Sequence, residues 1–160
     1  MKRKVMSVCS VMVLIISMLL VSGTNAQAAT ELSVLDGSYL THDEESVGYA
    51  VKKARGEDYM TGYSKCVRLG PGKIYAGGTT IATHTVAKVK VGVIVERARE
   101  GDSSWEYYAD WQKENLNTDR VGSNRTLIVE GGYYYRVRSI HSANNEVSSS
   151  FTNGVYIERP

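Results

Sequence analysis

The chain has 160 residues, with 19 Lys plus Arg against 17 Asp plus Glu, three His, two Cys and a formal net charge of +2. Lys2, Arg3 and Lys4 sit at the very start, so a chain shortened by its leader carries 16 basic against 17 acidic side chains and a net charge of −1. That balance gives no electrostatic case for nucleic acid or an anionic membrane, and Cys66, the one thiol beyond the leader, cannot form an internal disulfide.

The first element is a leader. Three cationic residues precede an apolar run from Val5 to Val21 and the small-residue site Ala26-Gln27-Ala28. This is the pattern of a secretory signal peptide over residues 1–28, cut after Ala28. The run approaches a membrane span in length, so a retained anchor is the competing reading; the cleavage site and the polar segment beyond it favour removal. The expected product is exported, extracellular or held at the cell surface, and free of the membrane once the leader is gone.

Residues 29–57 read as a flexible N-terminal arm with room for one short helix. Thr41-His42-Asp43-Glu44 resembles a capping box, and Val47, Ala50, Val51 and Ala54 share one helical face, but Gly48 and the weak apolar stripe argue against a stable helix. From residue 58 to 160 the texture is that of strands. Tyr59 to Leu69 is one run, closed by the turn Leu69-Gly70-Pro71-Gly72, and Lys73 to Thr85 is a second, with a bulge or bend expected at Gly77-Gly78. Ala87 to Arg97 is the clearest strand, because Val89, Val91, Val93 and Val95 recur at period two.

After the turn at Glu100 to Ser104, Trp105, Tyr107, Ala109 and Trp111 repeat that period and are expected to bury one face, leaving Glu106, Tyr108, Asp110 and Gln112 outside. Asn115 to Asn124 is polar without periodicity and reads as a connection. A closing hairpin runs from Leu127 to Ile157, with Tyr133, Tyr135 and Val137 on one face and Tyr134, Arg136, Arg138 and Ile140 on the other. Its loop is Ser142 to Asn145. About seven strands at this spacing predict an all-β, antiparallel β-sandwich.

Two resemblances attach to these residues. Leu127, Gly131, Tyr133, Arg136 and Val137 resemble the last strands of a fibronectin type III or immunoglobulin-like sandwich, which implies that Tyr133 pins a tyrosine corner; the early-strand Trp of such domains has no equivalent between Tyr59 and Thr85. Arg55 to Ile157 is similar to an uncharacterised family of small exported proteins of Gram-positive bacteria. Its landmarks here are Gly62, Gly72, Gly78, Thr80, Ala82, Trp105, Gly132, Tyr134, Arg136, His141, Glu146, Ser150 and Thr152. That resemblance implies export and a single β-rich domain, and no chemistry.

Catalytic and metal signatures are missing from the sequence. His42, His84 and His141 have no ligand-like spacing, and no G-x-S-x-G, H-E-x-x-H or phosphate-cradling glycine loop occurs. No cofactor or metal is expected. His141 lies beside Ser142 and near Glu146, but neighbours on a strand point to opposite faces, so a structural His outweighs a catalytic one. Asp110 with Glu114, or Glu44 with Glu45, could serve a small wall-directed hydrolase only across a cleft. The favoured expectation is a non-enzymatic binding module, monomeric or weakly dimeric, that contacts a wall polymer or a surface protein. Its candidate residues are Tyr134, Arg136, Arg138, Tyr108 and His141. The hydrolase and an exported antagonistic factor are the alternatives.

Overall fold

One long strand organises the molecule. The computed structural model describes residues 32–50 and 60–160; the signal peptide expected over 1–28 and the positions 51–57 of the expected arm lie outside them. The described residues form nine strands and no helix: β1 (Val34–Leu35), β2 (Ser38–Thr41), β3 (Glu45–Tyr49), β4 (Met60–Gly70), β5 (Lys73–Ala98), β6 (Glu106–Ile128), β7 (Tyr133–Ala143), β8 (Glu146–Phe151) and β9 (Gly154–Ile157). They make one curled sheet in the order β1-β2-β9-β7-β5-β4-β3, with β6 added to β5 and β8 to β7. β2 and β9 are parallel while the other pairs are antiparallel, so the all-β expectation holds and the sheet is mixed.

Valine alternation explains the rigid half of β5. β-branched side chains favour extended backbone, and Val89, Val91, Val93 and Val95 are all fully buried, each contributing about 1.5–2 kcal/mol by removal from water. A straight strand of 26 residues would reach about 85 Å, far beyond the width of a domain this size, so β5 has to bend. The bend falls where pairing with β6 breaks register, between Ile81 and Val86. One edge of β5 pairs with β6 along both halves. The other pairs with β4 over Lys73–Ala82 and with β7 over Val89–Ala98.

Folding at the bend lays β4 over β7 and encloses the main core of Cys66, Ile74, the four valines, Tyr135, Val137 and Ile157. Gly77-Gly78, expected as a bulge or bend, keeps an unbroken register, and the irregularity falls at Ile81 to Val86 instead. Gly78 is needed for close approach: a Cβ there would lie 3.1 Å from Val91 Cγ2 and would overlap Ser139. Cys66 donates to the Tyr135 carbonyl at 3.5 Å, and burial pushes its thiol up to about 12, so it behaves as the small buried hydrophobe its isolation suggested.

Three local expectations are corrected. The arm over 29–57 is strand where it is described, because Asp36-Gly37, both at positive φ, forms a two-residue turn between Leu35 and Ser38, and β3 pairs with β4 from Glu45 to Tyr49. The polar stretch 115–124 is part of β6, which pairs with β5 and, within this stretch, buries Val121 in the main core. Tyr107 is 60 % exposed and Tyr108 turns inward, because Val95 pairs with Ala109 but Glu96 pairs with Tyr107; the extra residue reverses the parity.

The tyrosine corner is also displaced. Tyr135, not Tyr133, donates its hydroxyl to the backbone upstream, at 2.8 Å from the Glu130 carbonyl, and its ring is fully buried. Tyr133 instead accepts a short hydrogen bond from Arg99. Tyr135→Phe is expected to lower stability by about 1–2 kcal/mol in urea titration, since it orphans a carbonyl, while keeping the ring in place.

Candidate functional site

The face of β7 that carries Tyr134, Arg136 and Arg138 keeps its predicted parity but not its predicted exposure. Tyr134 is 6 % exposed and Arg136 is 3 % exposed, because the hairpin β1–β2 covers them and makes a second small core of Leu35, Leu40, Ala98 and Tyr134, with Trp105 and Tyr156 packed against it. A layer drawn from the segment read as an arm therefore buries the surface on which binding was expected.

Arg136 is tied on every side. Its Nε donates to Glu96 at 2.8 Å, its Nη2 to Asp36 at 2.8 Å, and its Nη1 to the Asp36 carbonyl and Ser38 Oγ, each at 3.1 Å. Its guanidinium lies 4.6 Å from the Trp105 ring centre. Arg138, half out in solvent, donates to the other oxygen of Glu96 at 2.8 Å. The Arg136 guanidinium holds the Asp36 carboxyl below the usual carboxylate range. These groups and Ser103, Ser104 and Trp105 line a recess of about 360 Å³ whose two cations are already matched by two carboxylates. Its chemistry is that of a clasp.

His141 lies in the interior, fully buried, in a network of hydroxyls. Thr80 Oγ1 donates to the Lys90 carbonyl at 2.8 Å, so its contact with His141 Nδ1 at 2.9 Å requires the imidazole to donate there. Nε2 is then an acceptor for Ser150 Oγ at 2.8 Å. Ser64 Oγ lies 2.7 Å from Ser150 Oγ and 2.8 Å from Ser139 Oγ. Gly62 backs the ring so closely that any Cβ would overlap it. Burial pulls the imidazole down to about 4, and no carboxylate is among its hydrogen-bond partners. Gly62, Gly78, Thr80, His141 and Ser150, scattered landmarks in the sequence, thus meet at one place.

The remaining candidates disperse. Tyr108 is half-buried, edge-on to Tyr135 at 5.4 Å with Arg97 over its ring, and its hydroxyl donates to the Ile128 carbonyl at 3.1 Å. Asp110 accepts from Tyr107, and Glu114 pairs with Lys88 and Lys90, so these carboxylates are not brought together with His141. Among the described residues no group of three or more His, Cys, Asp or Glu side chains converges to hold a metal ion.

A second recess is different in kind. His42, Arg99, Glu100, Gly132, Tyr134, Tyr156 and Arg159 line about 370 Å³. Tyr134 and Tyr156 face one another across the β7–β9 pair, with ring centres 5.1 Å apart, and His42 lies 4.7 Å from Tyr156 and 5.8 Å from Tyr134. Arg68 of β4 fixes two of the three rings through their backbone, donating to the Tyr156 and His42 carbonyls at 3.2 Å each. Arg159 packs over Gly132, where φ is +89° and an added Cβ would lie 3.0 Å from the guanidinium Nε. Burial, and then the charge of Glu100, holds the Tyr134 phenol above its ordinary range, so it stays neutral. Among the described residues Arg99, Arg159 and Glu100 form no ion pair, which leaves two cations and one anion facing solvent beside three rings. Tyr134 was legible in sequence; its partners come from four other segments and carry no shared motif.

These features define an all-β protein with an aromatic and guanidinium recess at one end of its sheet. No protein-family model matches the chain. A stretch of 76 residues is 33% identical to the large ribosomal subunit protein uL10 of Synechococcus sp. (strain CC9902), covering 48% of this chain and 39% of that protein. The chain thus spans well under two thirds of that relative's length.

Proposed function

We propose that the chain is an exported, non-enzymatic binding module, and that it contacts a wall polymer or surface protein through the recess of His42, Arg99, Glu100, Tyr134, Tyr156 and Arg159. The observation that carries this reading is the set of unpaired charges beside three rings on a rigid frame, in contrast to the saturated clasp around Arg136. Ring faces and charges are what a recognition site needs, and strands β7 and β9 hold Tyr134 and Tyr156 while His42, Arg99, Glu100 and Arg159 lie just beyond strand ends. Export rests on the leader pattern of the first 28 residues. Kinship with fibronectin-like sandwiches belongs to the same proposal: the bond from Tyr135 to Glu130 supports it, while the bent β5 and the parallel β2–β9 pair depart from it. The likeness to a ribosomal protein covers less than half of either chain and adds no reading of its own.

Tyr156→Ala combined with Arg159→Ala is the test. Neither side chain is in the main core, so the double variant should stay folded by circular dichroism and should lose about tenfold or more in retention on cell-envelope fractions. Retention equal to that of the unmodified protein would remove the recess from the contact.

A further inference from the structure

We infer that the recess takes an acidic saccharide, with a sugar ring laid against Tyr156 and His42 and its carboxylate or phosphate held by Arg99 and Arg159. This rests on the reading of the recess as the contact site and names its ligand class. Three observations carry it.

The first is charge. Two guanidiniums against one carboxylate leave a surplus of one positive charge, and the planar fork of Arg matches two oxygens of a carboxylate or phosphate at once. Arg99 is held in place by Tyr133, whose ring centre lies 4.5 Å from its guanidinium and whose hydroxyl accepts from it. Arg159 is seated over Gly132. Arg99 therefore needs no ordering by the ligand, which lowers the entropic cost of binding.

The second is the kind of apolar surface. None of the eleven large hydrophobic side chains that the described residues expose lines this recess. A protein partner would bury a core of such side chains over roughly 800 Å² on each side. What the recess offers instead is the rings of Tyr156 and His42, tilted to one another by 44° and backed by the buried Tyr134. Such rings suit a ligand with an apolar face and a hydroxylated rim. Glu100 supplies an acceptor for hydroxyls, a role without use toward a simple anion.

The third is size and support. A volume of about 370 Å³ holds one or two sugar units. Arg68 makes the platform stiff from behind by holding the backbone of two of its rings, so it acts as a positioning residue.

The test uses the purified, isotopically labelled protein titrated with glucuronic acid and with glucose 6-phosphate, against glucose and inorganic phosphate as controls. Amide shifts of Gly132, Tyr134 and Tyr156 are followed. At least one acidic sugar should bind about tenfold more tightly than both glucose and phosphate, and Arg159→Ala should remove that advantage; which acid wins tells a carboxylate polymer from a sugar-phosphate polymer. Arg68→Ala should weaken the acidic sugar severalfold without changing the preference for acid over neutral sugar. Acidic sugars no tighter than glucose, or inorganic phosphate as tight as either, overturn the inference. If retention on envelope fractions still depends on Tyr156 and Arg159 in that case, the ligand class alone has failed; if it does not, the contact site has failed with it.

Discussion

Arg136→Met is expected to destabilise the protein by about 3–5 kcal/mol, the loss typical of removing one partner from a buried ion pair. Its carboxylate partner Glu96 is 8 % exposed and would keep only Arg138. Four donated hydrogen bonds go at once, three of them to Asp36 and Ser38 at the β1–β2 turn, so the covering hairpin should loosen as well. Urea titration measures the first effect and limited proteolysis near residues 32–41 the second. Arg136→Met with Glu96→Leu should recover much of the loss, because no charge is left buried without a partner. A single variant as stable as the parent would mean that the clasp contributes nothing to the fold.

Acid should weaken the fold through His141. Its imidazole titrates at about 4 in the folded protein and near 6.5 when exposed to water, because burial disfavours the charged ring. Between those values the unfolded chain binds more protons, so stability falls as pH drops from about 6.5 to about 4, by about 3 kcal/mol in all. Below that range both states are protonated and this contribution no longer changes. Thr80, Ser150 and Gly62 surround the ring and none of them titrates, so no neighbour offsets the loss. Denaturation midpoints measured across pH 4 to 7 should decline in the parent and flatten in His141→Gln, which keeps polar atoms in the pocket but takes up no proton. An equal slope in both proteins would place the acid sensitivity elsewhere.

Much of the fold is legible along the chain where a pattern is local. The period-two valines of β5, the turns at Gly70 to Gly72 and Asn144-Asn145, and the short last strand all follow from side-chain alternation and turn chemistry. What hides is what depends on the sheet as a whole. β6 shows no apolar periodicity over Asn115 to Asn124 because its side chains there stay exposed or only partly buried except Val121, while the pairing with β5 that makes it a strand leaves no mark in the side-chain pattern. One additional residue at Tyr108 reverses parity for Trp105 and Tyr107, and no composition rule signals it. The Asp36-Gly37 turn is the exception, since that dipeptide, here between Leu35 and Ser38, is a hairpin signal that the capping-box pattern overshadowed.

The same distinction governs the candidate site. Alternation placed Tyr134, Arg136 and Arg138 on one face, and it could not reveal that β1 and β2 return to cover that face. Tyr134 contributes to the recess, Arg136 to the clasp, and His141 to the interior, so a set of residues grouped by proximity in sequence divides among three environments. His42, Arg99, Tyr156 and Arg159 join Tyr134 only through the sheet order, which lays β9 beside both β7 and β2.

The most direct measurement of the binding account is a titration of the labelled protein with solubilised envelope polymer, following every assigned backbone amide. The proposed site predicts shifts centred on His42, Gly132, Tyr134 and Tyr156, weakening as salt is raised because the guanidiniums face solvent. Shifts centred on the outer strand β6, at Tyr107, Leu116 and Ile128, with those four amides unmoved, would contradict it.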